Sequence, residues 1–252
     1  LKSVPPLPGQ DIYLTLDLEL QKKALELLDG RRGSIVAIDP RDGGVLAMLS
    51  SPTYDPNLFV NGISTKAYAG LLSSNSRPLI NRATKGQYAP ASTVKPFLAL
   101  LGLDEKTITS KTRVWDPGFW QIPGVERKYR DWKRWGHGWV DVTSALIGSC
   151  DTFFYDLAYK TGVNKIASFM QPFGFGERVG IDIFEESAGI MPSKDWKKMR
   201  YNQPWYIGDT ISVGIGQGYW TATPLQLANA TAIMANRGKR FKPHLLGSLK
   251  SN

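Results

Sequence analysis

Two short apolar runs, GSIVAID at 33–39 and GVLAMLS at 44–50, meet across the turn-forming PRDGG. Runs of this length bounded by Gly and Pro read as strands, so they predict a β-hairpin of buried strands. Such strands need a core against them, and a 252-residue chain that is 42% hydrophobic can supply one, as one large domain or two small ones. Upstream, DIYLTLDLELQKKALELLDG at 11–30 begins with strand-like alternation and becomes an amphipathic helix, with Leu18, Ala24, Leu25 and Leu28 near helical spacing and Gly30 at its C-terminal cap. The Pro-rich LKSVPPLPGQ at 1–10 is expected to be an extended linker from a region outside the chain, leading into a domain over 11–252.

Further along, residues 51–90 are turn-rich with short helical pieces, and 112–140 reads as a loop rich in Trp, Gly and Pro. A structureless loop that long is unusual in a compact domain and points to function or to a staple. DVTSALIGSCDTFFYDLAYKTG predicts two helices meeting near Ser149, and VNKIASFMQPFG another, ended by Pro172 and Gly174. In TATPLQLANATAIMANRG, Thr223 is the N-cap, Pro224 the first helical residue, Gln226 the capping-box partner and Gly238 the stop.

The formal net charge is +9, which admits nucleic acid, an anionic membrane surface or an anionic polymer as partner. The one dense basic patch, ERKYRDWKRWGHG at 126–138, has no nucleic-acid motif around it; a solvated or partner-facing loop is expected, and no nucleic-acid partner. No run of eighteen apolar residues and no signal-type N-terminus occurs, so any membrane anchor is expected outside this chain. A single Cys rules out an internal disulfide.

YAPASTVKPF at 88–97 breaks its own local rules, because Pro96 lacks an amide hydrogen yet follows what reads as the opening of a helix. Ser92 and Lys95 stand one helical turn apart, so both side chains leave on one face. A serine hydroxyl is a poor nucleophile until a neighbouring base takes its proton, and a lysine amine can be that base. With two His and no Gly-x-Ser-x-Gly elbow, a Ser-His-Asp hydrolase is disfavoured. Ser149-Cys150-Asp151 adds a hydroxyl and a carboxylate for proton relay.

Ser92-x-x-Lys95 followed by Ser149-x-Asp151 resembles the penicillin-recognising serine transpeptidases. The longer strings YAPASTVKPF, DPGFWQIPG, YRDWKRWGHG, DTFFYDLAY and GDTISVGIGQGYWTATPLQLA are similar to the class B penicillin-binding proteins of rod-shape elongation in Gram-negative bacteria. The resemblance implies an α/β (α+β) fold, the penicillin-recognising serine transpeptidase fold, in which an antiparallel sheet packs between helices, here with the sheet incomplete. It implies a D-Ala-D-Ala transpeptidase with catalytic Ser92, Lys95, Ser149 and Asp151, acting on peptidoglycan stem peptides and acylated by β-lactams. It also implies a periplasmic site at the inner membrane, with a SEDS-family glycan polymerase and elongation-complex proteins engaged through regions outside this chain. The family's Lys-Thr/Ser-Gly strand is expected beyond Asn252, and the literal KTG at Lys160–Gly162 is read as a helix end. Most relatives carry Asn where this chain has Asp151, which is expected to pair with Lys95 or a water. The competing readings are a serine β-lactamase, which would turn the adduct over, a β-lactam-sensing receptor domain, which would never transfer it, and a scaffold of the elongation complex.

No cofactor is expected for catalysis. Asp116, Asp131, His137 and Cys150 nevertheless gather S, N and O donors on the long loop, a set that suits a structural zinc ion stapling that loop beside the nucleophile. The bland alternative makes Cys150 a small buried hydrophobe and His137 a loop residue.

Overall fold

The structure, a computed structural model, describes residues 9–250, so most of the expected linker, residues 1–8, lies outside the described residues. Strand β1 (Asp11–Leu14) leads to Asp17, whose carboxylate accepts from the Leu20 amide and starts helix α1 (Leu18–Leu28). That helix ends on Asp29 in the left-handed region, one residue before the Gly assigned from sequence. Only Ala24 of its stripe is buried, and Leu18 and Leu25 stay exposed, contrary to the periodicity. Strands β2 (Gly33–Ile38) and β3 (Val45–Ser51) then form the expected antiparallel hairpin. In β3 alternate residues are buried, while the residues between them and all of β2 are half-buried, with Val36, Ile38 and Met48 packed against the core.

Helices α2 (Thr65–Ser73) and α3 (Arg82–Lys85) follow, capped by Ser64 and Asn81. Ala91–Val94 is a tight 3-10 turn, and the α-helix α4 (Lys95–Asp104) begins only at Lys95. Pro96 is therefore a first-turn residue whose missing N–H would have had no intrahelical partner, which removes the conflict seen in the sequence.

The segment expected as a loop is structured. It holds β4 (Val114–Asp116), β5 (Phe119–Gln121), β6 (Lys128–Arg130) and β7 (Gly138–Val140), with β4 on β7 and β5 on β6, both antiparallel. Strands of three residues are too short to print a period-2 pattern, so sequence periodicity passes over them. Helices α5 (Val142–Ile147) and α6 (Asp151–Thr161) meet at Ser149 as expected, and Gly162 closes α6, leaving Lys160 and Thr161 helical. The KTG is thus a helix end. Then come α7 (Val163–Met170), α8 (Lys194–Tyr201), α9 (Ile207–Val213), α10 (Pro224–Ala235) with its Thr223–Gln226 capping box, and β8 (Leu246–Lys250), antiparallel to β1. Among the described residues the strands form four two-stranded ladders and no larger sheet.

The chain divides into two compact units. One contains the described residues through Gly86, Arg178–Ser187 and the segment from Thr223 on. Here α1 packs on β3 and α10 on β2, around a core of Val45, Val179, Ile181 and Leu225. The other contains Gln87–Glu177 and Ala188–Ala222. Its core is an edge-to-face run of rings, Phe173 on Phe97, Phe97 on Phe175 and Phe175 on Trp220. Beside it α6 packs on α4 and α9, and α9 ends at Gly214, where a Cβ would lie 2.5 Å from that of Ala158; the absent side chain is what lets the two helices approach.

Candidate active site

Lys95 and Asp151 begin helices α4 and α6, which pack together, so their side chains meet although 56 residues separate them. The Lys95 Nζ donates to Asp151 Oδ1 at 2.6 Å, to the Ser149 carbonyl at 2.8 Å and to Ser149 Oγ at 3.2 Å. The Phe154 ring centre lies 5.4 Å away, and Lys95 is 2% exposed. A lysine Nζ held among these acceptors and against a ring has one direction in which to point. Ser92 lies at the exposed end of the 3-10 turn, three residues before Lys95. The expected Asp151–Lys95 pair is therefore present in the geometry.

Two non-glycine residues flanking this group have left-handed backbone, Ala91 at φ 51° and Ser149 at φ 50°. Each costs about 1 kcal/mol or more and is held by specific bonds. The Ala91 N–H donates to the Gly216 carbonyl at 2.8 Å, and the Ser149 hydroxyl and carbonyl face Lys95. Gly216 was not singled out from the sequence; the only signal was its place in the glycine-punctuated SVGIGQG.

Immediately behind Ser149 lies the second group of singled-out residues. Asp116 Oδ2 accepts from the His137 amide at 2.9 Å, pairs with His137 Nδ1 at 2.8 Å and accepts from Cys150 Sγ at 3.4 Å; its Oδ1 accepts from Thr152 Oγ1 at 2.7 Å and the Gly118 amide at 2.8 Å. Asp131 Oδ1 is 3.5 Å from His137 Nδ1, and its Oδ2 caps α6 by accepting from the Asp151 and Thr152 amides at 2.7 and 3.2 Å. Burial works against the Asp116 carboxylate, but the bonds from Thr152, His137 and Gly118 outweigh it and hold its pKa below the ordinary value. Burial pushes the Cys150 thiol far up, and the two carboxylates push it further. One candidate ligand atom from each of Asp116, Asp131, His137 and Cys150 lies within 4.8 Å of the others, so all four residues converge on one point.

Residues 33–251 match the family model described as the penicillin binding protein transpeptidase domain. The chain is 56% identical over 248 residues to the peptidoglycan D,D-transpeptidase MrdA of Escherichia coli K12, covering 98% of this chain and 39% of that protein. Its structure superposes on Pseudomonas aeruginosa PBP2, crystallised with WCK 5153, with a TM-score of 0.94 and 54% identity over 97% of this chain and 56% of that one. It superposes on Helicobacter pylori PBP2, solved as a complex with MreC, with a TM-score of 0.89 and 37% identity over 95% of this chain and 46% of that one. The chain thus spans well under half the length of its curated relative.

Proposed function

The chain belongs to the penicillin-binding protein transpeptidase domain family, and we propose that it carries the nucleophilic half of a peptidoglycan D,D-transpeptidase active in cell elongation. The observation that supports this most is the Lys95 amine, aimed by Asp151 and Ser149 from one turn beyond Ser92. Ser92 Oγ attacks the carbonyl of the penultimate D-Ala of a stem peptide, and Lys95, acting as the neutral amine with its lone pair turned to Ser92, takes the hydroxyl proton. The Ser92 amide, at the positive end of its helical turn, donates to the developing oxyanion. As the C–N bond breaks, Ser149 Oγ relays a proton to the leaving amine and free D-Ala departs. An amine of a neighbouring stem then attacks the ester, the cross-link forms and Ser92 regains its proton. Asp151 acts by holding the Lys95 amine beside Ser149.

A β-lactam carries a strained amide in place of the D-Ala-D-Ala bond and leaves an ester on Ser92. Intact mass of the full-length protein with benzylpenicillin should show one persistent adduct, absent from Ser92→Ala. An adduct that turns over rapidly would favour a β-lactamase; one that forms on a protein unable to transfer a donor acyl group to a D-amino acid would favour a sensor. No adduct at all would refute Ser92 as nucleophile.

Asp116, Asp131, His137 and Cys150 fit a structural zinc ion. Their donors are one S, one N and two carboxylate O, they converge within 4.8 Å, and three of the four residues are buried. Such an ion would cross-link the β4–β7 segment to the start of α6; no catalytic step passes through it. Metal analysis of the full-length protein should find one equivalent of zinc, lost in Cys150→Ala with a drop in melting temperature. A metal-free protein whose stability is indifferent to chelator would refute the assignment.

Cell-wall synthesis by such an enzyme takes place outside the cytoplasm, and we place the catalytic unit at the periplasmic face of the inner membrane; no helix among the described residues is long and apolar enough to cross a membrane. The complex of H. pylori PBP2 with MreC supports elongation-complex proteins as partners, and a SEDS-family glycan polymerase is the partner the reaction calls for, since cross-linking needs nascent strands.

A further inference from the structure

Five of the eight Trp residues fall between positions 115 and 139, and four of them face solvent. Trp115 and Trp139 are direct cross-strand partners on β4 and β7, with ring centres 5.6 Å apart, and are 53% and 60% exposed. Their strand neighbours Asp116 and Val140 point inward and are buried, so the ladder has a committed inner face and an outer face made of indoles. Trp132 and Trp135 are 66% and 80% exposed. Covering a Trp removes roughly 150–250 Å² of surface from water, so leaving four uncovered is a large unspent driving force for association.

The charge around them selects the partner. Arg127, Lys128, Arg130, Lys133 and Arg134 are all exposed, and among the described residues none forms a salt bridge, while Glu126 is the only exposed carboxylate between Arg127 and the strand before it. The Arg134 guanidinium lies over the Trp135 ring at 5.0 Å, so cation and indole are offered together. A ligand matching this surface has flat C–H faces that stack on indoles and carries carboxylates. Position ties it to the reaction: Trp132 Nε1 donates to the Gly148 carbonyl at 3.0 Å, and the next residue, Ser149, faces Lys95.

We propose that Trp115, Trp139 and Trp132, with the cations of 127–134, form a docking surface for an acidic glycan strand, the sugars stacking on the indoles and the stem-peptide carboxylates pairing with Arg and Lys. This rests on the transpeptidase reading and extends it from the scissile bond to the polymer that bears it. The surface holds the strand while a stem enters the Ser92 site.

The test uses full-length protein carrying Ser92→Ala, so that nothing turns over, titrated calorimetrically with an uncross-linked tetrasaccharide of alternating N-acetylglucosamine and N-acetylmuramic acid bearing its stem peptides. Adding Trp115→Ala with Trp139→Ala should weaken binding about 10-fold or more, and the Tyr pair at both positions should restore most of it. Reversing charge at Lys133 and Arg134 should weaken the tetrasaccharide but not a neutral chitotetraose. Equal affinity in the Ala pair overturns the proposal. So does transfer of binding to vesicles of anionic lipid, which would make the face a membrane contact, or failure of the tetrasaccharide to bind because another segment of the full-length chain covers the indoles. Loss of the penicillin adduct from the Ser92-containing protein would instead indict the transpeptidase reading and leave the glycan titration as it stands.

Discussion

Gly216→Ala separates the placing of Ser92 from the stability of the fold. Gly216 sits at φ +69° in the turn after α9, and its carbonyl accepts the Ala91 amide, so that turn is what holds the turn that presents Ser92. A Cβ there would stand 2.3 Å from the Ala91 carbonyl oxygen and 2.8 Å from Val94 Cγ2. Since C···O contacts close to about 3.3 Å, the turn must retreat by about 1 Å. A displacement of that size in a reacting group costs about 100-fold in rate. Gly218→Ala is the control: φ +71°, the same left-handed strain of about 1–2 kcal/mol, but its nearest contact is the Ser212 side chain at 3.1 Å and no atom of 91–94 is touched. Benzylpenicillin acylation followed by stopped flow should show Gly216→Ala slowed about 100-fold and Gly218→Ala close to the wild-type rate, while thermal melting shows that both fold, Gly216→Ala with the larger loss because it carries the backbone clash as well as the left-handed strain. If both fold and acylate within a few-fold of each other, the Gly216 carbonyl does not position Ser92.

Lys197 is buried on α8 with its Nζ 2.6 Å from Asp209 Oδ2 and the Tyr206, Tyr219 and Trp205 ring centres at 4.5, 5.3 and 5.8 Å. Burial opposes its charge, but the Asp209 bond outweighs it and holds the ammonium above its ordinary pKa. Lys197→Met should cost about 2–3 kcal/mol in denaturant unfolding, below the full cost of breaking a buried pair because the Asp209 side chain keeps 21% exposure, and Asp209→Asn added to it should cost less than the sum. Asp182 accepts from the Leu246 and Leu245 amides, which outweigh partial burial and depress its pKa. Its contribution is therefore complete above the unfolded value of about 3.9 and is lost as pH falls through the lower folded value, so melting of Asp182→Asn should fall less steeply than wild type on acidification below about pH 4. An identical acid limb in the two proteins would remove Asp182 from that account.

The sequence carried those elements whose cause is local. The 33–50 hairpin announces itself by turn residues between apolar runs, and α10 by a Thr–Pro–Gln start whose capping box closes in the structure as read. What failed depended on partners far along the chain. The strands between 114 and 140 exist because β4 finds β7 across twenty-odd residues and Asp116 bonds His137, and neither fact leaves a local trace. On α1, helical spacing gave the right element and the wrong exposure, since periodicity tells which residues share a face and not what covers it. Ser92, Lys95, Ser149 and Asp151 could be singled out by type and spacing, yet only the packing of α4 on α6 puts the Lys95 amine on Ser149, 54 residues away.

The two groups of singled-out residues are also one mechanical object. Cys150 stands between Ser149 and Asp151, and its thiol is bonded to Asp116. Asp131 caps the same helix by taking the Asp151 amide itself, so the carboxylate that holds Lys95 hangs from a backbone fixed by the carboxylate that faces His137. Thr152 Oγ1 on Asp116 closes the loop. Ser149 keeps a left-handed backbone because the residues on either side of that junction are both tied to the 116–137 segment, Gly148 through its carbonyl to Trp132 and Cys150 through its thiol to Asp116. An ion bound at that cluster, or a strand docked as proposed, would therefore act first on the position of Ser149 and Asp151, and through them on the aim of the Lys95 amine.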